Sequence, residues 1–149
     1  MKASYGPMAD VDLALFIRLN RSTQAIVRDI QKVLRRHDLS LAQFAVLEAL
    51  FHKGSLTTGE IMRSILTTGG NITIVLRNLE KKGLIQTQED PADRRRRSSQ
   101  LTKEGEAVVI RAFPDQLAVI QEKLAVLTKE EKEKTTVCLR RVERAKEEE

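Results

Sequence analysis

Aromatic residues are scarce in this sequence: it has no tryptophan, one tyrosine and four phenylalanines among 149 residues. Any core must therefore be built from aliphatic and small side chains. Prolines are also few, three in all, and long segments rich in Ala, Glu, Lys, Leu and Arg run without interruption. Together these features predict a mainly helical fold. The length fits a single domain, or one protomer of an intertwined dimer.

Cysteine is limited to Cys138, so no disulfide can form within the chain. This excludes a small secreted protein held together by disulfides. No run approaches the roughly 20 apolar residues that a membrane span requires. The first ten residues contain no apolar signal core. We therefore expect a cytoplasmic protein with no membrane partner.

Patterns typical of catalysis and metal binding are also missing. The two histidines, His37 and His52, are scattered and predict no zinc site. Gly69-Gly70 follows two threonines rather than a strand, and it lacks the spacing of a phosphate-binding or dinucleotide-binding loop. Since nothing in the sequence brings a nucleophile and a base together, we expect neither an enzyme nor a bound cofactor.

Positive charge, by contrast, is in excess and localised. The formal net charge is +5. Residues 59–103 carry nine basic and five acidic side chains, whereas residues 128–149 carry seven of each. Four of the basic residues are consecutive and follow the turn sequence E-D-P-A-D: Arg94, Arg95, Arg96 and Arg97. Such a run could be a solvated surface, a targeting signal or a contact for a polyanion such as nucleic acid.

Periodicity and capping patterns divide the chain into helices around one hairpin. We predict helices over 11–36, 41–52, 58–65, 69–82, 103–127 and from 129 to the charged C-terminus, and Pro114 could bend the fifth. The predicted N-caps are Asp10, Ser40, Thr57, Thr102 and Thr128, of which Thr57 and Thr128 begin capping boxes. Residues 84–88 and 97–101 are predicted strands of a β-hairpin.

The short helices at 58–65 and 69–82 have helix-turn-helix dimensions, and the hairpin follows them as a wing. In the second helix Ile72, Val75 and Leu79 form the inward stripe. The other positions suit the major groove of DNA, because Asn and Arg can pair with base edges and an exposed Ile can touch a thymine methyl. The predicted DNA-contacting residues of this helix are Thr68, Gly70, Asn71, Thr73, Ile74, Arg77 and Asn78.

Two stretches resemble one known family. D-P-A-D-R-R at 90–95, followed by Leu-Thr-x-x-Gly at 101–105, is similar to the wing signature of the MarR family of winged helix-turn-helix regulators. N-I-T-I-V-L-R-N-L-E-K-K-G-L-I at 71–85 resembles that family's recognition helix. The resemblance covers essentially the full chain. It implies a mainly α fold with a small β-hairpin wing (α+β), in which a winged helix-turn-helix lobe (40–103) lies between an N-terminal dimerisation helix (1–39) and C-terminal dimerisation helices (104–149).

The resemblance also implies roles for the wing. Asp93 would pair with a nearby arginine, Arg95, and so set the shape of the hairpin. Arg94 would enter the minor groove, where narrow A·T-rich DNA concentrates negative potential. Arg95, Arg96 and Arg97 would divide between structural pairing and phosphate contact. Ile74 and Asn78 stand where the family often has larger polar or basic groups, a departure that bears on which operator is bound.

A homodimer is implied by the resemblance and indicated independently by the residues. Apolar side chains near both ends exceed what the slender helices of one protomer can bury, and such surfaces usually mark an interface. A two-fold dimer would place its recognition helices one DNA turn apart, roughly 34–36 Å, on a pseudo-palindromic site. Cys138 would be a packed helix residue, with a disulfide across the dimer as the alternative. The predicted interface residues are Leu13, Phe16, Ile17, Phe113, Leu117, Ile120, Leu124 and Cys138.

We therefore expect a homodimeric regulator that binds double-stranded DNA sequence-specifically, acts as a repressor and is released by a small apolar or aromatic effector. The resemblance implies that the effector binds between the dimerisation helices and the DNA-binding lobe. Phe16, Phe44, Leu47 and Phe51 could line that pocket, with core packing as the alternative duty of each. The alternative function is an architectural protein that binds DNA without sequence preference, although such a protein would favour Lys and Arg along its recognition helix.

Overall fold

A computed structural model of the chain describes residues 4–65, 71–89, 93 and 97–145. Helices dominate these ranges, and three short strands form one sheet, so the predicted mainly α fold with a small β element is confirmed. The elements are α1 (Pro7–Arg35), α2 (Leu41–Lys53), β1 (Leu56–Thr57), α3 (Thr58–Ser64), α4 (Ile72–Lys81), β2 (Ile85–Glu89), β3 (Arg97–Leu101), α5 (Lys103–Leu124) and α6 (Lys129–Arg144).

The sheet is antiparallel, with β3 between β1 and β2. The hairpin of β2 and β3 is confirmed, and its register runs from Ile85 opposite Leu101 to Glu89 opposite Arg97. Pairing of β1 with β3 was not predicted, because two residues are too few to show a periodic pattern. β2 begins one residue later than predicted, since the Leu84 amide donates to the Leu79 carbonyl and completes the end of α4.

Hydroxyl caps begin most of the helices, as the sequence predicts. The side chains of Ser40, Thr57, Thr102 and Thr128 each accept a hydrogen bond from the amide three residues later. At Thr57 and Thr128 the glutamate at that position bonds back to the cap amide, so both predicted capping boxes are confirmed.

Two predicted helix starts are wrong. α1 begins at Pro7 rather than after Asp10, because proline at the first position suits a helix start and Gly6 precedes it. The Asp10 carboxylate instead accepts from the Ser4 hydroxyl at 2.6 Å and the Tyr5 amide at 3.0 Å, which lowers its pKa. α4 begins at Ile72, three residues later than predicted, since Asn71 is extended and caps it.

Five predicted helix ends also shift, those of α1 and α4 by one residue each, to Arg35 and Lys81. α3 ends at Ser64, because Ile65 is already extended, and α2 extends one residue further than predicted, to Lys53. α5 continues through Pro114 but ends at Leu124 instead of Leu127. There the chain tightens into a turn, in which the Ala125 amide donates to Glu122 and leads into the Thr128 cap.

The core lies where α2, α4 and α5 meet the end of α1. Its largest fully buried side chains are aliphatic apart from one phenylalanine: Leu34, Phe44, Val46, Leu47, Ile61 and Leu79. α5 enters this core at Gly105, where an added Cβ would lie 2.0 Å from the Leu84 carbonyl oxygen. This close approach sets the start of α5 directly against the end of α4. Among the described residues, no helix is long and apolar enough to cross a membrane.

Candidate nucleic-acid interface

α4 presents two different faces. Leu79 is fully buried, and Ile72, Val75 and Leu76 pack against the core, so the predicted inward stripe is confirmed with Leu76 added. The remaining positions point away from the core. Ile74 is 52% exposed, although the next residue, Val75, packs against the core. The exposed residues among those predicted to contact DNA are Asn71, Thr73, Ile74, Arg77 and Asn78.

Asn71 is a helix cap and does not lie on a helix face. Its side-chain oxygen accepts from the Thr73 amide at 3.0 Å, and its carbonyl accepts from the amides of Ile74 and Val75. These bonds fix the N-terminal turn of α4 and leave fewer free amides for a phosphate than an uncapped helix would offer. The predicted Thr68 and Gly70 lie outside the described residues.

The hairpin lies beside the exposed face of α4. Arg97, at the start of β3, is exposed and stands opposite Glu89. Asp93 is also exposed. The predicted minor-groove contact of Arg94, the pairing of Asp93 with Arg95 and the contribution of Arg96 fall outside the described residues.

A groove of about 300 Å³ separates α4 from the hairpin and the start of α3. Arg77 of α4 and Arg97 of β3 both line it, so two side chains that are 20 positions apart in the sequence face the same space. Guanidinium groups are suited to phosphate and guanine, and threonine hydroxyls can add neutral hydrogen bonds. The groove is lined by Thr58, Thr73, Leu76, Arg77, Glu80, Thr87, Arg97 and Ser99.

A second, more apolar cleft of about 440 Å³ lies on the other side of α2, between α1, α3 and α5. One of its lining residues, Gln116, has a buried amide oxygen, Oε1, with no hydrogen-bond partner. The cleft is lined by Thr23, Val27, Leu41, Phe44, Ala45, Glu48, Ala49, His52, Lys53, Ser64, Ile65 and Gln116. A site of this shape suits a small, mainly apolar molecule.

The structure does not bring the four predicted pocket residues together in this cleft. Phe44 is among its lining residues, whereas Leu47 is fully buried in the core. Phe16 and Phe51 are exposed and do not line it. Gln116 was not predicted as a pocket residue, because a lone glutamine on a helix carries no sequence signal. Only the structure shows that its buried amide oxygen has no hydrogen-bond partner.

Apolar side chains are exposed along the first half of α1 and along the helices that follow the hairpin. Phe16 is 64% exposed and Leu13 and Ile17 are also exposed, as are Phe113 and Leu117 of α5. Of the other predicted interface residues, Ile120 and Leu124 are half-buried and Cys138 is exposed. The exposed positions are therefore concentrated outside the lobe that carries the groove.

One ion pair joins α1 to α5, and a second lies within α1 at the same carboxylate. Asp29 of α1 lies 2.6 Å from Lys123 of α5 and 2.8 Å from Lys32. Hydrogen bonds from Lys123 and Lys32 lower the pKa of the Asp29 carboxyl to about 2. Within the described ranges, no three His, Cys, Asp or Glu side chains are placed to hold a metal ion.

Comparison with known proteins gives consistent matches. The model of the MarR family matches residues 39–96. The HTH-type transcriptional regulator MhqR of Bacillus subtilis is 39% identical over 135 residues, which is 91% of this chain and 93% of that protein. The transcriptional regulator HosA of Escherichia coli is 34% identical over 64% of this chain and 71% of its own length.

Solved structures match the fold over most of its length. Bordetella bronchiseptica BpsR, whose DNA binding is regulated by 6-hydroxynicotinic acid, gives a TM-score of 0.79 at 26% identity and covers 87% of this chain and 98% of its own. A mutant MarR from Escherichia coli, complexed with operator DNA, gives a TM-score of 0.80 at 23% identity and covers 92% and 99%.

Proposed function

Because the chain belongs to the MarR family of DNA-binding transcriptional regulators, we propose that it is a homodimeric repressor of a pseudo-palindromic operator, released from DNA by a small molecule. One observation carries the DNA-binding part of the proposal. The exposed face of α4 and the hairpin share a groove that has an arginine from each, Arg77 and Arg97. A strand of backbone phosphates can then contact the hairpin while α4 reaches base edges.

The make-up of α4 supports specific binding over non-specific binding. Its exposed face combines Thr73, Ile74, Arg77 and Asn78, which can donate, accept or contact a thymine methyl. A protein that binds by charge alone needs none of this variety, since phosphates are the same at every step. Asn71 contributes indirectly, because its cap holds the first turn of α4 in shape.

The exposed apolar surface supports the homodimer. Phe16, Ile17, Phe113 and Leu117 are exposed in a single chain, and they belong to the two helices that flank the lobe. Covering such side chains contributes about 25 cal/mol per Å² of apolar surface. A second copy of the chain, related by a two-fold axis, would cover these surfaces and set two α4 helices on one face of DNA.

The cleft beside Gln116 supports a small-molecule effector. Leaving the Gln116 amide oxygen buried and unpaired costs on the order of 1–3 kcal/mol, which a bound hydrogen-bond donor would recover. We expect an effector with an apolar body and one hydroxyl or N–H group. Phenol and its methyl ether anisole test this, because they share the ring and differ in the donor. Phenol should raise the melting temperature more than anisole, and Gln116→Leu should remove that difference.

Selection of bound sequences from random DNA tests the proposed DNA recognition. We expect a palindromic consensus. Arg77→Ala should relax the preference at one position of each half-site and cost about 1–3 kcal/mol of operator binding. Arg97→Ala should weaken binding to all sequences and reduce the salt slope by about one. Arg111→Ala, an exposed arginine of α5, is the matched control. Enrichment of no sequence would favour an architectural protein instead.

A further inference from the structure

Four polar side chains connect α4 to α5 by a route that crosses the turn between α1 and α2. Lys82, at the end of α4, lies 3.0 Å from the Asp38 carboxylate and also donates to the Asp38 carbonyl. The neighbouring His37 places its Nε2 atom 2.7 Å from the Asp115 carboxylate of α5. These contacts join residues 44 and 78 positions apart in the chain. We call this set of four the brace.

The turn that carries the middle of the brace has a fixed backbone. The amides of Asp38 and Leu39 donate to the carbonyls of Arg35 and Leu34, which closes the C-terminus of α1. Asp38 has a φ of 56°, the left-handed conformation that such a closure requires. Leu34 and Leu39 are both buried beneath the turn. The backbone of His37 and Asp38 is thereby fixed relative to the end of α1.

α4 has a second attachment to α5 that does not involve the brace. The Thr102 hydroxyl donates to the Gly83 carbonyl at 2.6 Å, and the Thr102 amide donates to the Leu84 carbonyl at 3.1 Å. Gly105 lies against that same Leu84 carbonyl. One attachment on its own allows a helix to rotate about it, whereas two separate attachments fix its orientation.

We propose that His37, Asp38, Lys82 and Asp115 are positioning residues that set the orientation of α4 relative to α5. In a two-fold dimer built on α1 and α5, this orientation determines how far apart the two α4 helices stand. The brace therefore determines the half-site spacing that the protein prefers on DNA. The inference rests on the proposed function, since spacing has meaning only for a dimer on a two-part site.

The expected effect is on spacing preference more than on stability. The Asp38 side chain is 94% exposed, and exposed ion pairs are individually weak. We expect the core packing of α4 to stay intact when the brace is broken, because Leu79 is fully buried in the core and is not part of the brace. We expect the preference for the best spacing over its neighbours to fall by about two- to fivefold, the range that one exposed pair accounts for.

The test uses the full-length protein and the palindrome that it selects, with the half-sites moved apart or together by one or two base pairs. Asp38→Asn removes the charge and keeps a residue type that accepts positive φ. Lys82→Met and Asp115→Asn break the two ends. Lys81→Met removes the same charge from the neighbouring exposed position and is the matched control. His37→Gln retains an amide group near the Nε2 position and should preserve part of the effect.

Affinity for each spacing, affinity for a single half-site and melting temperature are measured for every variant. Breaking the brace should flatten the spacing profile and leave single half-site affinity at the level of Lys81→Met. The double variant Lys82→Met with Asp115→Asn should be no flatter than either single variant, because both ends act through one turn. If the variants kept the wild-type spacing profile and only lost melting temperature, the proposed role of the brace would be wrong, and the proposed function would be unaffected. Wild-type protein that binds every spacing equally would instead overturn the proposed function.

Discussion

α2 and α6 differ completely in what they bury. Four of the 13 residues of α2 are buried, and they form the centre of the core: Phe44, Val46, Leu47 and Leu50. α6 buries none of its 16 residues, and its apolar Val137 and Val142 are exposed. α1 has both buried and exposed apolar side chains, since Ile30 and Leu34 lie in the core while Phe16 is exposed. The lobe thus has a core of its own, whereas the flanking helices leave apolar side chains exposed.

This difference separates two kinds of stabilisation. In the lobe, burial of aliphatic side chains within one chain supplies the favourable free energy. In the flanking helices, much of the apolar area is exposed in a single chain, so in the proposed homodimer its burial would add stability that depends on protein concentration. Changes in the two regions should therefore have different signatures, one in unfolding and the other in assembly.

Phe16→Glu should have the largest effect, and it should act on assembly. Burying an unpaired carboxylate in an apolar interface costs several kcal/mol, and a dimer buries two copies. We expect the dissociation constant of the dimer to rise by about 100-fold or more. Sedimentation velocity over a range of concentrations measures it. Met62→Glu is the control, because Met62 is a comparably exposed apolar residue on α3. If both substitutions raised the dissociation constant equally, the flanking helices and the lobe would not differ in their contribution to assembly.

Gly105→Ala should have the next largest effect, and it should act on unfolding. The new Cβ would lie 2.0 Å from the Leu84 carbonyl oxygen and 3.2 Å from the Leu101 side chain, so α5 must move away from the end of α4. Overpacking of this kind costs about 1–3 kcal/mol. Urea unfolding measures the loss of stability.

Gly59→Ala is the matched control for Gly105→Ala. A Cβ at Gly59 meets only the end of the flexible Arg63 side chain, at 3.6 Å. Gly59 lies inside α3, where alanine is about 1 kcal/mol more favourable than glycine. We expect an unchanged or increased stability for this variant. A loss as large as that of Gly105→Ala would show that the contact with Leu84 is not the cause.

Four of the six helix starts were predictable because their signals are local. A threonine cap followed by glutamate three residues later identifies the starts of α3 and α6 without knowledge of the rest of the chain. The start of α4 was not predictable in this way, since an asparagine such as Asn71 can either continue a helix or cap it. The resemblance to the family led us to expect DNA-binding residues in this region. It did not indicate that one of them would be a helix cap.

Contacts between segments that are far apart in the chain could not be predicted from the sequence alone. Nothing in the pattern around Arg97 indicates that it shares a groove with Arg77, because their neighbourhood depends on the register of the hairpin. The same holds for Gln116 and for His37 with Asp115, which meet across 78 positions. The sequence likewise did not indicate the exposure of Phe51, for which a pocket or the core was expected.

Asn71→Ala should have a smaller effect, confined to the lobe. Loss of an asparagine cap costs about 1 kcal/mol, here through the bond to the Thr73 amide. We expect faster hydrogen exchange at Thr73 and weaker DNA binding, with no change in dimer dissociation. Asn71→Asp keeps the cap and adds a negative charge. It should retain the slow exchange and still weaken DNA binding, because the carboxylate repels phosphate. Parallel losses of exchange protection in both variants would argue against capping.

The smallest effect should come from Asp29, and it tests the contact between the two flanking helices. Lys123 and then Lys32 hold the pKa of this carboxyl at about 2, below its ordinary value of 3.8. A lowered pKa in the folded state means that the ionised carboxylate stabilises the fold above pH 4. That contribution is lost as the pH falls from about 4 to about 2. Carbon-detected NMR titration of Asp29 measures the shift directly.

Lys123→Met should return the pKa of Asp29 most of the way toward its ordinary value, while Lys32→Met should return it by less. The order follows from the contacts: Lys123 approaches to 2.6 Å and reaches across from α5, whereas Lys32 lies three residues along α1 at 2.8 Å. A neighbour on the same helix stays close in the unfolded chain as well, so only the Lys123 pair reports on packing of α1 against α5. If Lys32→Met changed the pKa of Asp29 more than Lys123→Met did, that pKa would be set within α1 alone. The contact between Asp29 and Lys123 would then say nothing about how the flanking helices are held together.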